Sequence, residues 1–86
     1  MQHVYILQSK RHKEKIYIGN TDDVNIRLNE HNSGKNYSTK LYKPYRIVYY
    51  EAYLNRLDAL NREHKLKHHG IVIGHLKRII ERSLLC

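Results

Sequence analysis

Residues 3–8, His-Val-Tyr-Ile-Leu-Gln, and residues 15–19, Lys-Ile-Tyr-Ile-Gly, decide the fold. Each run is short and rich in β-branched and aromatic side chains, and residues 9–14 between them are wholly polar. That pattern predicts two strands joined by a hairpin loop. Side chains alternate across a strand, so Tyr5 opposes Val4 and Ile6, and Tyr17 opposes Ile16 and Ile18. If the isoleucines pair on the core side, both tyrosines emerge together on the other face.

Downstream, Thr21 or Asp22 is placed to cap a helix that ends near Asn32, with Gly34 as its terminator. Residues 33–44 are polar and basic without a period and read as a loop. Residues 45–53 are again β-branched and aromatic, a third strand. Asn55 can cap a helix over 56–68 closed by Gly70, and a last helix is expected over 72–84. The order is β-β-α-β-α-α, an α+β chain read as one domain over residues 1–86.

Sixteen Lys and Arg against eight Asp and Glu leave a net charge of +8 on 86 residues. A field of that sign attracts polyanions, and nucleic acid is the commonest soluble one. A membrane is the poorer partner. No apolar run is long enough to span one, and no helix pairs a broad apolar face with a wholly basic one. The N-terminus lacks a signal-peptide pattern, and Cys86 is the single cysteine, so a reducing, cytoplasmic compartment is expected. Eight tyrosines, with no Phe or Trp, supply rings that pack while keeping a hydroxyl for hydrogen bonding.

Two helices place polar groups where packing calls for apolar ones. At about 100° per residue, Val24, Arg27, Leu28 and His31 share one face of the first helix. Arg27 and His31 therefore point towards the protein body, while Ile26 points away. In the second helix, Glu63 falls in the arc of Ala59, Leu60 and Leu66. A carboxylate there needs a cation: an arginine (Arg27 among them), a lysine or a metal ion.

These residues resemble the GIY-YIG nucleases, in particular small stand-alone members related to the nuclease domain of the excision-repair protein UvrC. Val4-Tyr5-Ile6 and Tyr17-Ile18-Gly19 match the paired motifs that name the family, with His3 in place of the first glycine. The likeness continues through Thr21 to Val24, Arg27-Leu28, Glu30 to Gly34, Ser38 to Lys40, Pro44, Val48 to Glu51 and Ala59 to Glu63.

The resemblance implies a three-stranded antiparallel sheet flanked by helices, carrying a metal-dependent endonuclease site. Tyr5 and Tyr17 would lie beside the scissile phosphate, and Arg27 would hold its oxygens. His31 would lie within reach of a tyrosine hydroxyl or of the attacking water. Glu63 would be the single protein ligand of Mg²⁺ or Mn²⁺, hard ions that keep much of their water. Which of Tyr5 and His31 serves as base stays open. Many relatives add an asparagine in the last helix; here none follows Asn61, and His75 lies near the expected place.

Substrate contacts are expected from Lys35, Ser38, Thr39, Lys40 and Lys43 in the basic loop, beside Tyr37 and Tyr42. DNA is expected ahead of RNA, with DNA repair or processing as the setting and a protein partner for targeting. Two other readings are a nucleic-acid-binding module that has lost its chemistry, and a Zn²⁺ or Ni²⁺ site built on His64, His68, His69 and His75.

Overall fold

A computed structural model describes residues 1–86. Strands β1 (Gln2–Ser9), β2 (Ile16–Thr21) and β3 (Tyr45–Tyr53) form one antiparallel sheet in the order β2-β1-β3. Helix α1 (Val24–Asn32) follows the hairpin. Helices α2 (Arg56–His68), α3 (Gly70–Ile79) and α4 (Glu81–Leu85) follow β3. The expected α+β architecture is present. No helix is long and apolar enough to cross a membrane.

The hairpin pairs Ile6 with Ile18 and Leu7 with Tyr17, while Tyr5 faces Gly19 across the ladder. Alternation therefore sends Val4, Ile6 and Ile18 to one face, where Ala59, Leu66, Leu76 and Ile80 from the later helices close over them. Fully burying each Leu or Ile side chain there contributes roughly 1.5–3 kcal/mol. Tyr5, Leu7 and Tyr45 form a second cluster on the other face, with Tyr17, Val24 and Leu28 against it. The two tyrosines of the hairpin do share that face.

A bulge divides β3 between the two faces. Ile6 pairs with Tyr49 but Leu7 pairs with Ile47, which leaves Val48 as the extra residue. Tyr45 and Ile47 thus face the Tyr5 side, whereas Tyr49, Glu51 and Tyr53 face the helices. Without the bulge all five odd-numbered residues would share one face.

Three boundaries differ from expectation. The N-cap of α1 is Asp23, one or two residues later than predicted; its carboxylate accepts from the Ile26 N–H at 3.0 Å. Thr21 acts one step earlier, its Oγ1 accepting from the Asp23 N–H at 3.2 Å. Gly70 does not close α2: the chain turns at His69, and Gly70 begins α3. The last helix also breaks at Ile80. There Gln8 donates to the Leu84 carbonyl at 2.9 Å and Arg46 to the Ser83 carbonyl at 2.8 Å. Those bonds satisfy C-terminal carbonyls of a short helix and hold α4 against the sheet. Gly34 behaves as expected, ending α1 with a φ of +81°.

Candidate active site

Helix α1 crosses the Tyr5 face of the sheet and lowers Arg27 and His31 onto it. His31 is fully buried and Tyr5 is 1% exposed. The Tyr5 hydroxyl meets His31 Nε2 at 3.1 Å, and Arg27 Nε donates to the same hydroxyl at 3.4 Å. Tyr17 completes the group, its ring 4.8 Å from that of His31 and 6.3 Å from that of Tyr5. Four of the five expected catalytic residues thus form one cluster on one sheet face.

Gly19 explains how the Tyr5 hydroxyl gets there. A Cβ at position 19 would lie 2.6 Å from the Tyr5 oxygen and 2.8 Å from its Cζ. A side chain at this position would displace the phenol from Arg27 and His31. Here the glycine serves close approach rather than an unusual backbone angle.

Glu63 stands on α2 and meets β2, an edge strand of the sheet. Its carboxylate accepts from the Asn20 amide and pairs with Lys67 Nζ at 2.8 Å. The same ammonium lies 5.6 Å from the centre of the Tyr17 ring, so it links Glu63 to Tyr17. The suggested Glu63–Arg27 pair does not form. Arg27 instead pairs with Glu30, one turn on in α1, at 3.0 Å. Of the cations that a carboxylate at position 63 demanded, the chain supplies a lysine.

Electrostatics separate the members. Burial raises the Tyr5 hydroxyl above its ordinary value of 10, outweighing the opposing hydrogen bond from Arg27. Burial, aided by the Arg27 charge, lowers His31 below its ordinary 6.5, so the imidazole is neutral at physiological pH. The hydrogen bond to Tyr5, then that to Glu30, holds Arg27 firmly in its charged form. A neutral imidazole beside a protonated phenol can take a proton; a phenolate is not the resting state.

The basic loop faces two ways. Ser38, Lys40 and Lys43 line an open groove with Tyr37, Leu41 and Tyr42. Lys35 is exposed but is not part of that lining. Thr39 does not belong among the substrate contacts: it is 1% exposed, and its hydroxyl meets His31 Nδ1 at 2.7 Å. The loop folds inward there, behind the histidine. His75 is exposed on α3 beside Ile71, Gly74 and Arg78, with no contact to Glu63. The rings of His64 and His68 lie 4.5 Å apart, but no group of three or more His, Cys, Asp or Glu side chains is placed to hold a metal ion. His64, His68, His69 and His75 are thus not gathered into one such group.

Asn20, Lys67 and the inward role of Thr39 were missed. Only Lys67 left a trace in the sequence, as the i+4 partner of Glu63 on a helix.

Tyr5, His31 and Arg27 are thus joined by hydrogen bonds, while Asn20 and Lys67 hold Glu63. The model of the GIY-YIG catalytic domain matches residues 1–70, and the chain belongs to that family. GIY-YIG domains are nuclease domains and act on nucleic acid. Within the family the chain is similar to UPF0213 proteins. One from Staphylococcus epidermidis is 40% identical over 65 residues, 74% of this chain and 77% of that protein. Another, from Haloquadratum walsbyi, is 38% identical over 66 residues, 76% of this chain and 72% of that protein. The solution structure of a UPF0213 protein from Bacillus halodurans superposes with a TM-score of 0.56 at 32% identity, covering 92% of this chain and 85% of that one.

Proposed function

We propose that this chain is a divalent-metal-dependent endonuclease that hydrolyses phosphodiester bonds in nucleic acid, DNA ahead of RNA, in a repair or processing role. The observation that carries this reading is the hydrogen-bonded chain from Arg27 through the Tyr5 hydroxyl to the neutral His31. Attack by water requires a proton acceptor, charge on the phosphate oxygens and help for the leaving oxygen. Tyr5 and His31 supply the acceptor together: the phenol hands its proton to the imidazole as it takes one from water. On that reading His31 is the base and Tyr5 the group that touches the water. Tyr17 packs against both rings and positions them. Arg27 offers a planar fork of donors that remains charged throughout.

The Glu63 site suits Mg²⁺ or Mn²⁺ on the chemistry of its donors. It has one carboxylate, on a side chain 16% exposed beside Asn20 of β2, and it already receives a cation in Lys67. A single carboxylate with room for waters is a frequent setting for Mg²⁺. When bound, the ion would act as a Lewis acid on the phosphate and its leaving oxygen. Lys40 and Lys43, with Ser38, line the groove in which the strand would lie, and such contacts position it without reading sequence.

The test is cleavage of labelled single-stranded, duplex and branched DNA and of RNA, in Mg²⁺, Mn²⁺ or EDTA, beside Glu63→Gln. Metal-dependent cutting by the parent, lost in the variant, supports the reading. Salt-sensitive binding without cutting on any substrate would make the chain a binding module instead.

A further inference from the structure

We infer that Thr39 is a positioning residue that fixes the tautomer of His31, leaving Nε2 bare to receive the Tyr5 proton. This deepens the proposed function and rests on its assignment of His31 as base. Thr39 lies on a different segment from His31, eight residues on, and the two are joined only by the loop after α1. Both side chains are shut off from solvent, so their hydrogen atoms must be accounted for among their neighbours.

The count has one solution in which every hydrogen has a partner. Arg27 Nε can only donate, so at its contact with Tyr5 the phenolic oxygen accepts. The Tyr5 hydrogen then has His31 Nε2, 3.1 Å away, as its acceptor. An acceptor at Nε2 places the ring proton on Nδ1, which donates to Thr39 Oγ1 at 2.7 Å. The Thr39 hydrogen is thereby free for the Asn36 carbonyl at 3.5 Å. Each link passes the same polarity to the next.

The reverse tautomer fails that count. If Thr39 donated to Nδ1, Nε2 would carry the proton and donate to Tyr5. The phenolic oxygen would then accept from both Arg27 and His31, and its own hydrogen would have no protein acceptor. A histidine with a proton on Nε2 also could not take one from Tyr5. Thr39 therefore acts as the aspartate or backbone carbonyl does behind other catalytic imidazoles, but without a charge. During attack, one proton passes from water to the Tyr5 oxygen while the Tyr5 proton passes to Nε2. Thr39 gains and loses none, and its hydroxyl keeps accepting from Nδ1–H of the imidazolium.

The tautomer can be read without any reaction. In the full-length chain, ¹⁵N NMR of the His31 ring at pH 7.5 should show the proton on Nδ1 and a bare Nε2. A proton on Nε2 would overturn the assignment at once. Thr39→Val removes the hydroxyl at nearly constant shape and should shift His31 to a mixed or reversed tautomer. It should also lower kcat about tenfold with KM nearly unchanged, in line with the loss of one hydrogen bond. Thr39→Ser should restore both signals. A Thr39→Val protein that keeps the Nδ1–H signature would show that Thr39 does not set the tautomer. If Thr39→Val does not fold, Thr39→Ala, which also lacks the hydroxyl, is read in its place, and an unchanged Nδ1–H signature in it overturns the role of Thr39. Should no variant, the parent included, cut nucleic acid while the tautomer moves as described, the nuclease reading has failed and with it the positioning role, while Thr39 is left as the residue that sets the His31 tautomer.

Discussion

Glu51 and Glu63 are equally sheltered, their side chains 17% and 16% exposed, and they differ in their company. Glu51 on β3 receives four donors: the hydroxyls of Tyr49 and Tyr53, and Nε and Nη2 of Arg62. A carboxylate has about four acceptor positions, so Glu51 is saturated. Glu63 receives only the Asn20 amide and the Lys67 ammonium. Burial alone therefore says little about what a carboxylate is for; the number of donors already in place says more. Glu51 ties α2 to β3 through Arg62, the residue before Glu63. It thereby fixes the rotation of the helix that presents Glu63.

The sharpest break of this contrast is Glu63→Gln. Metal-dependent cleavage should fall by about 1,000-fold, at the upper end for loss of one electrostatic contributor. Stability to urea should change by no more than about 0.5 kcal/mol, since the amide can still meet Asn20. Unchanged cleavage would remove Glu63 from the chemistry. Tyr5→Phe should follow at about 100-fold, the lower range for general acid–base help, because the link between water and His31 is gone. It should also lower stability by about 1 kcal/mol by stripping the buried Nε2 of its partner. Equal cleavage by the phenylalanine variant would separate His31 from the reaction.

Glu51→Gln inverts the pattern. Breaking a charge-assisted network of four donors should cost about 2–3 kcal/mol in urea unfolding, while each folded molecule goes on cleaving. Burial pushes the Glu51 carboxyl up, but the bonds from Arg62, Tyr49 and Tyr53 together outweigh it and hold it below 4.5. A depressed carboxylate contributes its full stability above its unfolded value. That contribution is lost as the pH falls from about 4.5 through the folded value. Unfolding curves of parent and Glu51→Gln should therefore converge across that window, and parallel curves would exclude the network as their cause. Tyr49 shows the other side of the same network: burial, then its bond to Glu51, pushes its hydroxyl up to about 12.

The two carboxylates were not equally legible in the sequence. Glu63 stood out because it interrupts the apolar arc of a helix, where the 3.6-residue period makes a misplaced charge visible. Glu51 gave no such signal. Its face depends on the bulge at Val48, and an extra residue in one strand cannot be seen from the strand's own alternation. The hairpin was readable because both strands alternate cleanly and their tyrosines oppose their isoleucines. The cap of α1 was ambiguous because Thr21, Asp22 and Asp23 are all competent caps, and only the backbone path selects among them. Thr39 was misread because residues 33–44 have no period. What turns the loop inward is its contact with His31, a partner the loop's own residues do not reveal. Arg27 and His31 were placed by helix geometry alone, and the structure brings both to Tyr5.

Lys67 gives the finest test of the difference between a filled and an unfilled carboxylate. Its side chain is 38% exposed, so its pair with Glu63 is screened and holds the carboxylate only loosely. Lys67→Met keeps much of the apolar stem and removes the charge. Stability should shift by less than about 1 kcal/mol. Mn²⁺ binding, followed by calorimetry or by the loss of the free-ion electron-spin signal, should tighten roughly fivefold, because no resident cation then competes for Glu63. Lys67→Arg should bind Mn²⁺ as the parent does. Binding that weakens in Lys67→Met would mean the lysine orients Glu63 rather than competing at it. Binding that persists in the Glu63→Gln, Lys67→Met double variant would place the ion elsewhere altogether.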